Sequence, residues 1–306
     1  MASAPQAQRS SKSQRSAKSK SGSLEITRSP LFVDIPDLVH GFSTRLGGFS
    51  EAYGGGQLNL GYTASDERGS VDKNRRKFFL ALAPAVASPR VVSLRQIHSG
   101  IVRIVRSRDR LSASPLPGDG VVTSQSGAIL AIQVADCVPV LVADAKGKAT
   151  GAFHAGWRGT AKRIVERGVG LMRAAFGCKP KNLYAAIGPC IHACCYAVGD
   201  EVIDEFRSQF VYADELFSEV YDRDPIKEKY PLLFLTARAP GHSNIGPQTH
   251  LDLVAANRRQ LIDAGVPPDH IWAAEECTSC RTDLLFSHRG EAGYTGRMMA
   301  AIGMRG

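Results

Sequence analysis

Ala128-Ile129-Leu130-Ala131-Ile132-Gln133-Val134-Ala135-Asp136-Cys137-Val138-Pro139-Val140-Leu141-Val142-Ala143 holds two nearly unbroken apolar runs, parted by one acid and one thiol. Each run is short for a helix and rich in β-branched side chains, so both predict strands buried on both faces. Strands of that kind belong to sheets covered on each side, which points to an α/β protein. Downstream, 149–154 predicts another strand after a turn at Lys146-Gly147-Lys148. A helix follows over 160–176, where Ile164, Val165, Gly168, Leu171, Met172 and Ala175 share one face and Gly177 supplies the stop. A strand at 183–187 ends in Gly188-Pro189, and 198–206 and 251–264 predict amphipathic helices. Upstream, 71–83 predicts a helix ended by Pro84, and 91–94 and 101–105 predict strands. The stretch 217–243 is charged and Pro-interrupted and reads as loops with one short strand at 232–235. No internal repeat and no clear linker emerges. The expectation is one α/β domain over residues 31–306, with order starting near Leu31, behind a tail of residues 1–30.

The formal net charge of +9 raises the question of nucleic acid, but Arg9, Lys12, Arg15, Lys18 and Lys20 lie in a Ser-rich leader with no acid before Glu25. That leader is too polar to build a core. The body shows no basic stripe with interleaved aromatics, so nucleic acid is not an expected partner. The leader has no apolar segment of the secretory kind, and no apolar run approaches the roughly 18 residues of a membrane span. Seven cysteines, an odd number, argue against a disulfide framework and for free thiols in the cytoplasm. There is no GxGxxG and no P-loop.

His98, Cys137 and His154 each follow a strand-like run, and strand ends open into the crevices where α/β sheets hold ligands. Two imidazoles and a thiolate suit zinc, and three protein ligands leave a coordination position open, as in catalytic sites. The bland alternatives are a core cysteine and hydrogen-bonded structural histidines. Asp136 in this apolar setting is costly unless paired or used. It is a candidate general base or the partner that orients a ligating imidazole. Adjacent strand residues face opposite ways, but Pro139 suggests a break that lets Asp136 and Cys137 enter one cleft. Arg45, Arg158 and Arg289 sit among small residues and suit phosphate or carboxylate, or serve as surface ion-pair partners. Cys190, Cys194 and Cys195, and the single CxxC of Cys277 and Cys280, read as structural or incidental, since adjacent cysteines rarely share one ion.

Several motifs, in order, resemble the laccase-domain (YfiH-like) family, also called the purine nucleoside phosphorylase type of multicopper polyphenol oxidase. They are Thr44-Arg45-x-Gly47-Gly48, Asn59-Leu60, Asn74-Arg75-Arg76, Gln96-Ile97-His98, Ala135-Asp136-Cys137-x-Pro139, His154-Ala155-Gly156-Trp157-Arg158-Gly159, Gly188-Pro189, Tyr196-x-Val198-Gly199-Asp200-Glu201-Val202, Cys277-Thr278 and Thr295-Gly296-Arg297-Met298. The resemblance spans about residue 40 to residue 300, and the ADCxP and HAGWRG segments together are its most specific part. It implies layered α/β/β/α architecture with mixed sheets, akin to a group of cysteine hydrolases. It implies zinc on His98, Cys137 and His154, and purine nucleosides and phosphate as reaction partners. The family's activities are phosphorolysis of adenosine, inosine, guanosine and methylthioadenosine, and deamination of adenosine. An older label is copper-dependent phenol oxidase, and correction of peptidoglycan precursors has been proposed for bacterial members. The sequence departs from the pattern at His288-Arg289, where an aromatic–arginine pair is usual, and at Arg95, where Asn is common.

Two His and one Cys also suit blue copper. A laccase, however, needs several further clustered histidines, and His40, His192, His242, His250, His270 and His288 include no His-x-His pair. The expectation is therefore a zinc-dependent purine nucleoside phosphorylase with adenosine deaminase activity, with Asp136 and Arg45 catalytic and Arg158 and Arg289 binding substrate. The alternatives are a Cys–His hydrolase, with Cys137 as nucleophile and His154 as base, that edits peptidoglycan precursors, and a copper polyphenol oxidase.

Overall fold

The computed structural model describes residues 23–84, 90–106, 115–220 and 247–306. The tail up to residue 22, the strand expected at 232–235 and His242 lie outside these residues. Two mixed sheets form the centre. One contains β1 (Ile26–Thr27), β2 (Leu38–Ser43), β3 (Arg90–Ser93), β6 (Ala128–Val134) and β13 (Met298–Met304), in the order β1-β2-β13-β6-β3. The other contains β4 (Val102–Val105), β5 (Gly120–Thr123), β7 (Val138–Asp144), β8 (Thr150–Ala155), β9 (Leu183–Ile187) and β12 (Ile271–Ala273), in the order β12-β9-β7-β8-β5-β4. A separate antiparallel pair joins β10 (Phe217–Val220) and β11 (Gln248–Leu251). The helices are α1 (Arg68–Leu82), α2 (Trp157–Ala161), α3 (Ile164–Phe176), α4 (Asp200–Gln209) and α5 (Leu253–Asp263).

The period-2 alternation of the strands sorts their side chains into layers. Leu130 and Ile132 of β6, and Ala300 and Ile302 of β13, meet Leu141 and Ala143 of β7 and Ala152 of β8 in the core between the sheets. Ile129, Ala131, Met299 and Ala301, on the opposite face, pack under Phe78, Phe79 and Leu82 of α1. Val140, Val142 and Phe153 turn the other way and pack against Val165, Val169 and Met172 of α3 and Leu253 of α5. The result is α/β/β/α layering, and the two quoted runs are central strands buried on both faces, each in a different sheet. Burying one such Leu or Ile contributes about 1.5–3 kcal/mol.

Four expectations need correction. The folded body begins upstream of Leu31, because Ile26–Thr27 pairs with Phe42 and Ser43 of β2, placing part of the supposed tail at a sheet edge. The single helix expected over 160–176 is two: Arg163 adopts a left-handed φ of 57°. There Gln260 Nε2 takes the Thr160 carbonyl that a continuous helix would give to residue 164. Pro139 is not a break but sits in β7 opposite His154. Phe217–Val220, expected as loop, is strand β10 paired with β11. β13, for which the sequence raised no expectation, lies at the heart of its sheet although Met, Ala and Gly are weak strand formers, because β2 and β6 flank it on both sides.

Candidate metal centre

The chain passes from the five-stranded to the six-stranded sheet twice at this end of the molecule, between β3 and β4 and between β6 and β7. His98 lies on the first passage and Cys137 on the second. His154 stands near the end of β8, beside the start of β7. Stepping between sheets demands unusual backbone, and both passages supply it: φ is 56° at His98 and 88° at Asp136. These are left-handed values that cost a non-glycine residue about 1–2 kcal/mol. The three ligand atoms lie within 4.8 Å of one another, and the His98 and His154 rings meet edge-on at 5.0 Å. His154 is buried, Cys137 half-buried and His98 exposed, so the group opens toward solvent on the His98 side.

The residue that holds this arrangement is Asp119, which precedes β5 and is fully buried. Its carboxylate accepts from the backbone N–H of Ile97, His98 and Ser99, from Ser99 Oγ at 2.7 Å, and from His154 Nδ1 at 2.9 Å. One carboxylate thereby fixes the loop that carries one ligand and the ring orientation of another. Burial alone would raise its pKa, but the His154 and Ser99 donors outweigh this and hold it well below the usual carboxylate range. Gln96 ties the same loop to β6: its Nε2 donates to the Gln133 carbonyl and its Oε1 accepts from the Gln133 N–H, both at 2.8 Å. The Gln of the QxH segment is thus a brace and His98 its cargo.

Cys137 and His154 perturb each other. Burial would raise the Cys137 thiol, yet His154 and His98 beside it bring it down to about 6. Burial would lower His154, but the Cys137 thiolate and Asp119 lift it to about 9. Each shift favours the charged form, thiolate beside imidazolium, and a cation in the proton's place would satisfy the same charges. The donor set fits zinc: Asp119 occupies His154 Nδ1 and leaves Nε2 for a metal, and two imidazoles with a thiolate are ligand types that zinc prefers. Gly156 belongs to this fit. A Cβ there would stand 2.9 Å from Cys137 Sγ and 3.4 Å from His98 Cδ2.

A cleft of about 560 Å³ opens over the three ligands, its rim including Tyr196, His288, Arg289 and Arg297. Arg289 Nη1 donates to the Ala197 carbonyl, and Arg297 Nη1 to those of Thr295 and Gly296. Asn59 Oδ1 accepts from the Arg297 N–H and sets that residue's place.

The other expected site residues fare differently. Asp136 lines the cleft, but its Oδ1 accepts from Thr278 Oγ1 and Ser287 Oγ and its Oδ2 from the Arg289 N–H. It clamps the segment bearing Arg289, whereas Asp119 does the imidazole-orienting work expected of it. Arg45 is spent elsewhere: its guanidinium donates to Gln57 Oε1, the Thr282 and Tyr53 carbonyls and Glu291 Oε1, and lies over the Phe286 ring. It is buried and outside the cleft, so it anchors the 282–291 loop and is not placed to hold phosphate. Arg158 stacks on Trp157, reaches Glu201 at 3.4 Å and lines a separate shallow depression. Asp119 and Arg297 escape the sequence argument, although an acid between Gly118 and Gly120, just before an apolar strand, is a readable signal.

The chain belongs to the multi-copper polyphenol oxidoreductase laccase family, whose model matches residues 39–305. It is 38% identical over 275 residues, 87% of this chain and 90% of the relative, to purine nucleoside phosphorylase YlmD of Geobacillus stearothermophilus. The crystal structure of that organism's YlmD superposes with a TM-score of 0.73 at 36% identity, over 96% of this chain and 98% of that one. Adenosine deaminase RL5, from an unknown prokaryotic organism, is 31% identical over 86% of this chain and 93% of its own length. The chain is thus a member of a family of enzymes.

Proposed function

We propose that the protein is a zinc-dependent purine nucleoside phosphorylase that also deaminates adenosine. The observation that carries this reading is the convergence of His98, Cys137 and His154 at the floor of a cleft lined by three arginines, Arg95, Arg289 and Arg297. His98, Cys137 and His154 would hold the zinc, which would supply Lewis acidity beside the substrate. The protein's own groups do the rest. Arg289 and Arg297 each commit only one guanidinium nitrogen to protein carbonyls and are the candidate phosphate ligands, in place of Arg45. The Arg289 guanidinium lies over the Tyr196 ring, 5.4 Å from its centroid, so this ring helps to place that arginine, and the cleft volume suits a nucleoside. Asp119 keeps His154 and the His98 loop in place while charge changes above them.

The test is incubation of the zinc-loaded protein with adenosine, with and without phosphate. Chromatography should show adenine and ribose 1-phosphate only when phosphate is present, and inosine in either case. Absence of all three products refutes the assignment, and Cys137→Ala should abolish both activities together with metal binding.

A second reading has one observation in its favour: Asp119, His154 and Cys137 form a carboxylate–imidazole–thiolate chain with the thiol held near 6. That is the arrangement of a Cys–His hydrolase, the chemistry an editor of peptidoglycan precursors would use. Such an enzyme stays active in chelator and is inactivated by iodoacetamide. Activity lost to chelator and restored by zinc excludes it. The copper oxidase reading has less support, since the other metal-competent group among the described residues consists of cysteines, not histidines.

A further inference from the structure

A second set of soft donors lies behind the cleft. Cys194 and Cys195 sit in the turn after Ile191, and Cys277 and Cys280 in the turn after β12. Their four sulfurs lie within 4.8 Å of one another. Cys195 Sγ is 3.3 Å from Cys280 Sγ, Cys194 Sγ is 3.6 Å from Cys280 Sγ, and the two adjacent sulfurs are 3.7 Å apart. Neighbouring side chains diverge on a strand, but here the chain turns, with the N–H groups of Cys195 and Tyr196 both donating to the His192 carbonyl, and both sulfurs reach the same place. A tetrahedral ion with bonds to sulfur of about 2.3 Å requires sulfurs about 3.8 Å apart. A disulfide requires about 2.05 Å. The observed spacing resembles a metal's coordination shell.

We propose that Cys194, Cys195, Cys277 and Cys280 form a second metal site, a tetrathiolate for a soft divalent cation of the zinc class. The surroundings match. The His192 N–H donates to Cys277 Sγ at 3.4 Å, the kind of backbone donor that stabilises sulfur carrying negative charge. The Thr278 N–H donates to the Cys190 carbonyl, so the two turns already lie side by side. On loading, the ligating thiols release their protons to solvent and no electron is transferred. All four positions are protein sulfur, so the site is closed and structural, unlike the open triad. Its place gives it a role. One turn leads into Tyr196, the other into Ser287 and Arg289, and Thr278 reaches Asp136 beside Cys137. The ion fastens together the two segments that form this side of the cleft rim. The inference stands on these sulfurs alone and does not depend on the reaction assigned to the cleft.

The full-length chain, purified without chelator, should carry two zinc ions by elemental analysis. Cys137→Ala should leave one, and Cys194→Ser with Cys280→Ser should also leave one. Cobalt loaded into the Cys137→Ala protein should show sulfur-to-metal charge-transfer bands that the added serine pair abolishes. Should the serine variants fail to fold, X-ray absorption of the unaltered protein gives the answer: an average of about 2.5 sulfurs per zinc, against one if only the triad binds. One sulfur per zinc, or metal content unchanged by the serine pair, overturns the proposal. So does an intact mass two hydrogens below the all-thiol form with no metal on these residues, which assigns a disulfide.

Discussion

Asp119→Asn is the sharpest perturbation of the centre because it keeps shape and removes half of the accepting capacity. In the native protein Oδ1 serves the His98 N–H and His154 Nδ1, Oδ2 serves the Ser99 N–H and hydroxyl, and the Ile97 N–H lies 3.2 Å from both. An amide has one oxygen. If it faces His154, the new NH2 confronts the Ser99 N–H; if it flips, the NH2 confronts the His98 N–H and His154 Nδ1. Either way a buried donor loses its acceptor, which costs about 1–3 kcal/mol, and the remaining bonds lose their charge assistance. The expectation is zinc binding weakened about 10–100-fold. Competition against a chromophoric chelator measures this directly. Ser99→Ala, which removes only the hydroxyl donor, is the graded control and should cost about 1 kcal/mol. Zinc affinity in Asp119→Asn within about twofold of the parent, below the tenfold expected for a lost ligand-orienting partner, refutes the role given to this carboxylate.

Gly156→Ala places a methyl 2.9 Å from Cys137 Sγ. It should lower zinc affinity about tenfold or more, measured by the same competition, with the helices intact by circular dichroism. Arg45→Ala strips the partner from the largely buried Glu291 and should destabilise the protein by about 2–4 kcal/mol in urea unfolding. Arg289→Ala should instead raise the KM for phosphate with little effect on unfolding; the reverse pattern would restore Arg45 as phosphate ligand. Buried His40 accepts the Ser29 N–H on Nε2 and is held neutral, its pKa lowered by burial and then by Arg28 from 6.5 to about 4. The unfolded chain therefore binds more protons between those values, so stability falls as pH drops from about 6.5 to about 4, by about 3 kcal/mol in all. His40→Gln should flatten that part of the stability–pH curve, and an unchanged slope removes His40 as its cause.

Much of the architecture was legible because burial on both faces leaves a dense apolar signature, as in 128–134 and 138–143. The meeting of His98, Cys137 and His154 was legible for a related reason: a thiol or imidazole after such a run is conspicuous. β13 was not, because 298–304 is Met, Ala and Gly apart from Ile302, and its strand character comes from its neighbours. A Cβ at Gly303 would stand 2.3 Å from the Ala128 carbonyl, so a side chain that signals a strand has no room there. Asp119 and Arg45 show the limit from opposite sides. Both are charged residues near glycines, yet one touches both histidine-bearing segments and the other is sealed beneath a loop 237 residues away in the chain. Only the fold distinguishes them.

The cysteines read as incidental in the sequence for a comparable physical reason. Adjacent thiols look unable to share an ion as long as extended backbone is assumed, and a single CxxC looks incomplete without its second pair. The fold supplies both missing conditions: a turn that brings Cys194 and Cys195 to one side, and a bridge from Cys190 to Cys277 that brings the CxxC alongside. Asp136 then stands between the two clusters. It takes Thr278 and Ser287 on one oxygen and the Arg289 N–H on the other, while its own carbonyl accepts from Ile191. A residue expected as general base or as the orienter of an imidazole is, by its hydrogen bonds, the joint that ties the Thr278, Ser287 and Arg289 segment to the turn presenting Cys137. Asp136→Asn should therefore weaken zinc binding at the triad even though Asp136 is no ligand, and should do so with the four-cysteine site still loaded.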